Sequence, residues 1–285
     1  MLLHKNIVGK NFDVALLGDI HLGNIACLED KLDSAISMIG ENNWYWGCMG
    51  DAIEGISILD PRFSPEVHGG KFGMVSDQCL KVAEHFMPIK KRCLFWLEGN
   101  HETKKTVRSV MKCGKDITGR LGIEVPVAFS VKIQLAEEFK LYATHGRLSV
   151  NSMAGDPDQI KLNESIRIKR KLRNKPIADC HVAAVGHIHK LRTREPFAQL
   201  DIYGIDKLHA EYNSQYTAGH SIHRDSKYYI STGSFLKSVV DQKWEPGVED
   251  IMTYVEENMY DQTELGFQVV HVRDSKVVGT EEVFV

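Results

Sequence analysis

Six short apolar runs in this chain each break off at a glycine-containing polar cluster, and that repetition constrains the fold more than any other feature. FDVALL runs into GDIHLG, NWYWGCM into GDAIEG, RCLFWLE into GNHE, FKLYAT into HGR, DCHVAAV into GHIHK and YYI into STGSF. Strands of about 5–6 residues closed by Gly-rich turns account for the pattern. Helical patterns lie between some of the runs. In CLEDKLDSAISMIG, residues Leu28, Leu32, Ala35, Ile36 and Ile39 fall on one face at helical spacing. SDQCLKVAEHFMPI repeats the idea, with Ser76 expected as N-cap and Pro88 as the stop. DPDQIKLNESIRIKRKL is a third, with Asp156 as N-cap and Pro157 at the first helical position. Strands separated by helices predict crossover units in the first half. From about Val125 the strand signals crowd together, and the C-terminal GFQVVHVRDSKVVGTEEVFV reads as a hairpin or strand pair. The expected architecture is mixed α/β, with sheet layers flanked by helices. Residues 191–227 are the least patterned and form a candidate insertion or long excursion.

Composition adds bounds. A chain of 285 residues has ample core for one large domain or two small ones. A hydrophobic content of 43% and a charged content of 26% are ordinary for a soluble globular protein. With a net charge of −3, any nucleic-acid binding has to be local. The six cysteines form no C-x-x-C pair, which argues against a zinc ribbon or redox dithiol, and Cys48, Cys93 and Cys180 are expected in the core. The start, MLLHKNIVGK, lacks a signal-peptide pattern, and no apolar run approaches the roughly 20 residues that span a bilayer. No membrane partner and a reducing, cytoplasmic setting are expected.

The strand ends carry Asp19, His21, Asp51, Asn100, His101, His145, His187 and His189. In α/β sheets, sites form beyond the carboxyl ends of strands, so side chains from separate segments can converge there. Carboxylate, imidazole and amide oxygen without thiolate favour manganese, iron or zinc. Eight groups exceed the needs of one four-coordinate ion, whereas two ions about 3.5–4 Å apart, bridged by a carboxylate, would use them. In Asp19-Ile20-His21 and His187-Ile188-His189, strand alternation would put both ligands on one side and the isoleucine in the protein.

GDIHLG, GDAIEG, GNHE, THG and GHIHK, spread over residues 18 to 190, occur in the order found in the calcineurin-like metallophosphoesterase superfamily, which the chain resembles. The resemblance implies a four-layer αββα sandwich of two mixed sheets flanked by helices, with residues 1–285 as one such domain. It implies that Asp19, His21 and His189 bind one ion, that Asn100, His145 and His187 bind the second, and that Asp51 bridges them. His101 matches the family's non-ligand histidine near the leaving group. The family often has Asp after the Asn-His pair, where it can orient that histidine; here Glu102 stands there, so the tuning of His101 is open. The implied chemistry is attack by a metal-bridging hydroxide, with His101 protonating the departing oxygen. Two divalent ions, most naturally Mn2+ with Fe or Zn as alternatives, are the implied cofactors.

Protein phosphatases of the superfamily carry Gly-Asp-x-x-Asp-Arg-Gly at the second motif. Here Glu54 stands at the Asp position and Gly55 at the Arg position, which lowers that reading. The first motif looks more like the nuclease and phosphodiesterase branches, so a phosphodiester in nucleic acid or a nucleotide is the leading substrate. A phosphomonoesterase is the alternative, and a non-catalytic scaffold is the rival of another class. The basic run at Lys161, Arg167, Lys169, Arg170, Lys171, Arg173 and Lys175, with Lys104, Lys105 and Arg108, would hold a polyanion if it bordered the site and is otherwise a solvated face. Arg147 is a candidate phosphate contact or a solvated side chain. His220 and His223 have ligand spacing, but a third metal site is not the expected outcome. His68, His85, His181, His209 and His271 receive no role, and STGSF is read as packing.

Overall fold

The computed structural model describes residues 1–56, 60, 63, 65–68, 73–175, 177–197, 200–212, 221–242, 251–257, 259 and 261–285. In chain order the elements are β1 (Leu2–Lys5), β2 (Phe12–Leu17), α1 (Glu29–Glu41), β3 (Tyr45–Cys48), α2 (Pro65–His68), α3 (Val75–Phe86), β4 (Cys93–Leu97), α4 (Lys105–Arg108), α5 (Cys113–Leu121), β5 (Val127–Ala128), β6 (Ser130–Ala136) and β7 (Phe139–Thr144). There follow α6 (Pro157–Leu172), β8 (Val182–Val185), β9 (Arg192–Arg194), β10 (Leu200–Tyr203), β11 (His209–Tyr212), β12 (Tyr228–Ser231), α7 (Tyr254–Glu257), β13 (Gly266–Arg273) and β14 (Lys276–Phe284).

Two six-stranded mixed sheets form, in the orders β14-β13-β2-β3-β4-β5 and β1-β6-β7-β8-β12-β9. In the first, β2, β3, β4 and β5 run parallel, and β13 runs antiparallel to both β2 and β14. In the second, β7, β8 and β12 run parallel. The alternation along each strand builds the layers. Ala15 and Leu17 join Trp46, Trp96 and the inward faces of α1, α3 and α5, whereas Val14 and Leu16 face the second sheet through Phe95, Ile133, Leu141 and Val182. On that sheet's far side, Tyr142, Ala183, Val185 and Tyr229 pack against Ile168 and Leu172 of α6. The order helix, sheet, sheet, helix is the expected αββα sandwich. A β-carbon on Gly47 would lie 2.3 Å from the Phe95 ring, so only glycine lets that ring fill the space between the sheets.

All six strand expectations hold, as does the C-terminal strand pair. Asp156 caps α6 by accepting from the Gln159 amide at 2.8 Å. The second helix differs in its ends. Met74 is the N-cap of α3 and Ser76 lies inside it, because no side chain caps that end. Pro88 does not stop the chain's coiling; it opens a 3-10 turn over Met87–Arg92, where a proline at an early position loses no hydrogen bond. Of the 191–227 segment, β9 joins the second sheet beside β12 and β10–β11 form a separate two-stranded ribbon. Cys48, Cys93 and Cys180 are buried, and all six cysteines are free thiols. No helix among the described residues is long and apolar enough to cross a membrane.

His181, at the start of β8, gives a pH-dependent term away from the strand-end cluster. Burial, aided by Lys227 and Lys140, pushes its imidazole down to about 4. Between pH 6.5 and 4 the unfolded chain therefore binds a proton that the folded chain does not, so stability falls as pH drops through this window. His181→Gln should shrink the loss of unfolding free energy between pH 7 and 4.5 by about 2–3 kcal/mol in urea titrations. An unchanged loss would assign the acid sensitivity elsewhere.

Candidate metal centre

The parallel strands β2, β3, β4, β7 and β8 bring their carboxyl ends to one edge of the sandwich. Each expected ligand follows one of them: Asp19 and His21 after β2, Asp51 after β3, Asn100 after β4, His145 after β7, His187 and His189 after β8. Asp19, His21 and His189 offer ligand atoms within 4.8 Å of one another; Asp51, His145 and His187 do the same, as do His21, Asp51 and His101. Asn100 joins through its amide oxygen, 3.0 Å from His145 Nε2.

The route to this convergence differs from strand alternation. Asp19, His21, Asp51, His187 and His189 all have positive φ, between 49° and 67°. The chain leaves each strand and turns through left-handed residues, which aim both members of each i, i+2 pair into the site. Asp and His are among the residues that tolerate this region. Ile20 is fully buried as expected, but Ile188 is half-buried and lines the adjoining cavity.

Local anchors hold the turns. Asp19 Oδ2 accepts from the His187 amide at 2.9 Å, and Asp51 Oδ1 accepts from the His101 amide at 2.8 Å. Gly99 has no alternative, because a β-carbon there would sit 2.1 Å from Asp51 Oδ1. The STGSF turn packs as expected and also supports an expected ligand: Ser234 Oγ donates to the Asp19 carbonyl at 2.7 Å.

Glu102 corrects one expectation. It does not orient His101. Its buried carboxylate accepts from the amides of Gly99 (2.7 Å), Asp51 (3.2 Å), Ala52 (2.7 Å) and Ile53 (3.3 Å), tying the turn after β3 to the turn after β4. Burial and the Asp51 charge push this carboxyl up to about 7, opposed by backbone donors that favour the anion. Glu54 is the carboxylate beside His101, and sequence reasoning gave it no part in the site. It accepts from His21 Nδ1 at 2.9 Å, lies 3.5 Å from His68 Nε2, and its backbone carbonyl accepts from His101 Nδ1 at 2.5 Å. These partners lie 14 to 47 positions away, beyond any local motif. The one available signal was Glu54's place in GDAIEG.

The hydrogen-bond pattern tests whether cations fit. His145 Nδ1 is 3.0 Å from the Met49 carbonyl, which can only accept, so Nδ1 carries the hydrogen. The lone pair on Nε2 then faces Asn100 Oδ1 at 3.0 Å and Asp51 Oδ2 at 3.1 Å. Likewise His21 Nδ1 donates to Glu54, so its Nε2 meets His189 Nε2 at 3.2 Å, itself 3.3 Å from Asp19 Oδ1. Converging acceptors demand positive charge: a proton, or a metal ion in its place. The same contacts set the electrostatics of the groups. Against burial, Asp51 lifts His145 to about 9. Against burial, His189 holds Asp19 below the usual carboxylate range, and His145 holds Asp51 well below it. An all-nitrogen-and-oxygen donor set of this kind suits hard or borderline divalent cations.

Of the other expected residues, Lys104 stands close, its Nζ 3.3 Å from His101 Nδ1, and the following stand apart. Arg147 is exposed and does not line the cavity. The basic face of α6 lies on the far side of the second sheet, and none of its cationic residues lines the cavity. The buried Glu164 anchors that helix by pairing with Lys190 (2.7 Å) and Arg192 (2.6 Å). His220 lies outside the described residues, and His223 is exposed. His85 is held between Asp33 (2.6 Å) and Glu29 (3.1 Å), joining α3 to α1.

Fold and site together define a two-sheet αββα sandwich with a carboxylate–imidazole centre at its strand ends, consistent with the class that the five motifs resemble. No family model matches the chain, and no curated protein does. Among solved structures, a metallophosphoesterase from Sphaerobacter thermophilus is similar at 10% identity, over 95% of this chain and 88% of that chain, with a TM-score of 0.39. GAP50, the anchor in the inner membrane complex of Plasmodium, is similar at 9% identity, over 97% and 90% of the two chains, with a TM-score of 0.31. Neighbours this distant carry nothing about this chain's chemistry.

Proposed function

We propose that this chain is a metal-dependent phosphoesterase acting on phosphodiesters of the nucleotide or nucleic-acid kind, with Mn2+ the first metal to test and Fe or Zn the alternatives. The observation that carries the reading is the convergence of lone pairs from Asp19, His21, Asp51, Asn100, His145, His187 and His189, which calls for cations. In the proposed division, Asp19, His21 and His189 hold one ion, Asn100, His145 and His187 the other, and Asp51 both. Bound divalent ions would supply positive charge for a phosphate and lower the pKa of water. The residues of the chain do the rest. Glu54 and the Met49 carbonyl fix the tautomers of His21 and His145. His101, with Nδ1 committed to the Glu54 carbonyl, keeps Nε2 for proton transfer with the reacting oxygens.

A diester is favoured over a monoester by charge. Among the described residues no arginine lines the cavity, and Gly55 stands where a phosphatase-type arginine would. A singly charged diester needs fewer cationic partners than a dianionic monoester. Hydrolysis of bis-p-nitrophenyl phosphate beside p-nitrophenyl phosphate, with manganese and with chelator, tests this. The diester should turn over at least about 10-fold faster and stop on chelation. Monoester preference would move the reading to a phosphomonoesterase, and inertness of the metal-loaded protein to a scaffold.

A further inference from the structure

We infer that, within the phosphodiester reading above on which this rests, the substrate is a small ester carrying an uncharged organic group with an apolar face, which narrows that reading away from a nucleic-acid strand. Beside the centre lies a cavity of about 680 Å³, large enough for a group the size of a nucleoside or substituted ring. Leu148, Val150 and Ile188 form one apolar wall, and Leu236, Met252 and Val255 contribute on another. The first wall is built in: Leu148 and Ile188 pack against the cluster of Val150, Tyr142 and α6 that backs the second sheet. The second is held by Thr263, which donates from Oγ1 to the Leu236 carbonyl at 2.6 Å, and by Thr253, which donates to the Ser238 carbonyl at 2.5 Å.

The charges point the same way. The cationic side chains lining the cavity among the described residues, histidines aside, are Lys190 and Lys237. Both are committed. Lys190 lies 2.7 Å from Glu164 and 2.9 Å from Asp261, and Lys237 lies 2.5 Å from Asp241. A strand would bring further phosphates past this mouth, and none of the lysines and arginines of α6 lines it. No aromatic side chain lines the cavity among the described residues to stack a run of bases. Asn24, Ser149, Asn151, Gln262 and Thr263 also line the cavity, and the apolar walls are the part of it that would favour an apolar group.

Two readouts test this on the manganese-loaded full chain. In calorimetric titration, phenylphosphonate should bind at least about 10-fold more tightly than methylphosphonate, and Leu148→Asn should bring that ratio toward one. In turnover, phenyl p-nitrophenyl phosphate should exceed methyl p-nitrophenyl phosphate by a similar factor in kcat/KM, and both should exceed a single-stranded 12-nucleotide DNA. Hydrolysis of both esters with equal efficiency, or a preference for the DNA that weakens steeply with salt, would overturn the inference while leaving the phosphoesterase reading intact. Hydrolysis of none of the three would overturn both.

Discussion

Asp51→Asn is expected to release both ions at once: metal content after dialysis should fall from two per chain to below one, and turnover by at least about 1,000-fold. Asp51 supplies carboxylate oxygens to two of the three ligand groups, shared with His21 and His101 on one side and with His145 and His187 on the other. The substitution is isosteric. Asn can still accept from the His101 amide through its carbonyl oxygen, the contact that Asp51 Oδ1 makes at 2.8 Å, so the turn should keep its shape. What disappears is the charge that would hold two cations together and that raises His145. Elemental analysis of variant and parent, with circular dichroism as a folding control, decides the matter. Two ions retained per folded chain would remove Asp51 from the bridging role.

His101→Ala separates chemistry from binding. The variant should keep two ions and lose about 100- to 10,000-fold in turnover, the range that a positioned general acid or base contributes. His101 lies near His21 and Asp51, and its Nδ1, like that of His145, is taken by a backbone carbonyl, so its Nε2 is free either for proton transfer or for an ion, and the metal count decides between them. Loss of an ion in His101→Ala would place the imidazole among the ligands instead. Retention of both ions with unchanged turnover would deny it any chemical role.

The legible parts of this molecule are those whose physics is local. Strand ends such as FDVALL–GDIHLG announce themselves because apolar burial and the turn that ends it are adjacent in sequence, and the residues brought together at the site are the ones that follow those strands. The α6 cap was legible for the same reason: Asp156 acts on an amide three residues away. What escaped is set by contacts distant in sequence. Nothing near Glu54 shows that it will meet His21, His68 and the ring of His101. Nothing in GNHE shows that Glu102 will turn from its neighbour toward amides some 50 positions earlier. The cavity wall at Met252, Thr253 and Val255 carries no motif, because lining a cavity requires only shape and apolarity.

The left-handed turns carry a further consequence. Five residues at the centre hold φ between 49° and 67°, at roughly 1 kcal/mol or more each for a side chain other than glycine. Together that is a sizeable fraction of the roughly 5–15 kcal/mol by which a domain is stable. Glycine would relieve the strain at each position and delete a proposed ligand, and at Asp19 and Asp51 it would also remove the acceptor that anchors the turn. Selection for thermal robustness alone would therefore push the ligand turns toward glycine, so an evolving or engineered form of this chain should reveal whether its chemistry is still in use by whether these five positions keep their side chains.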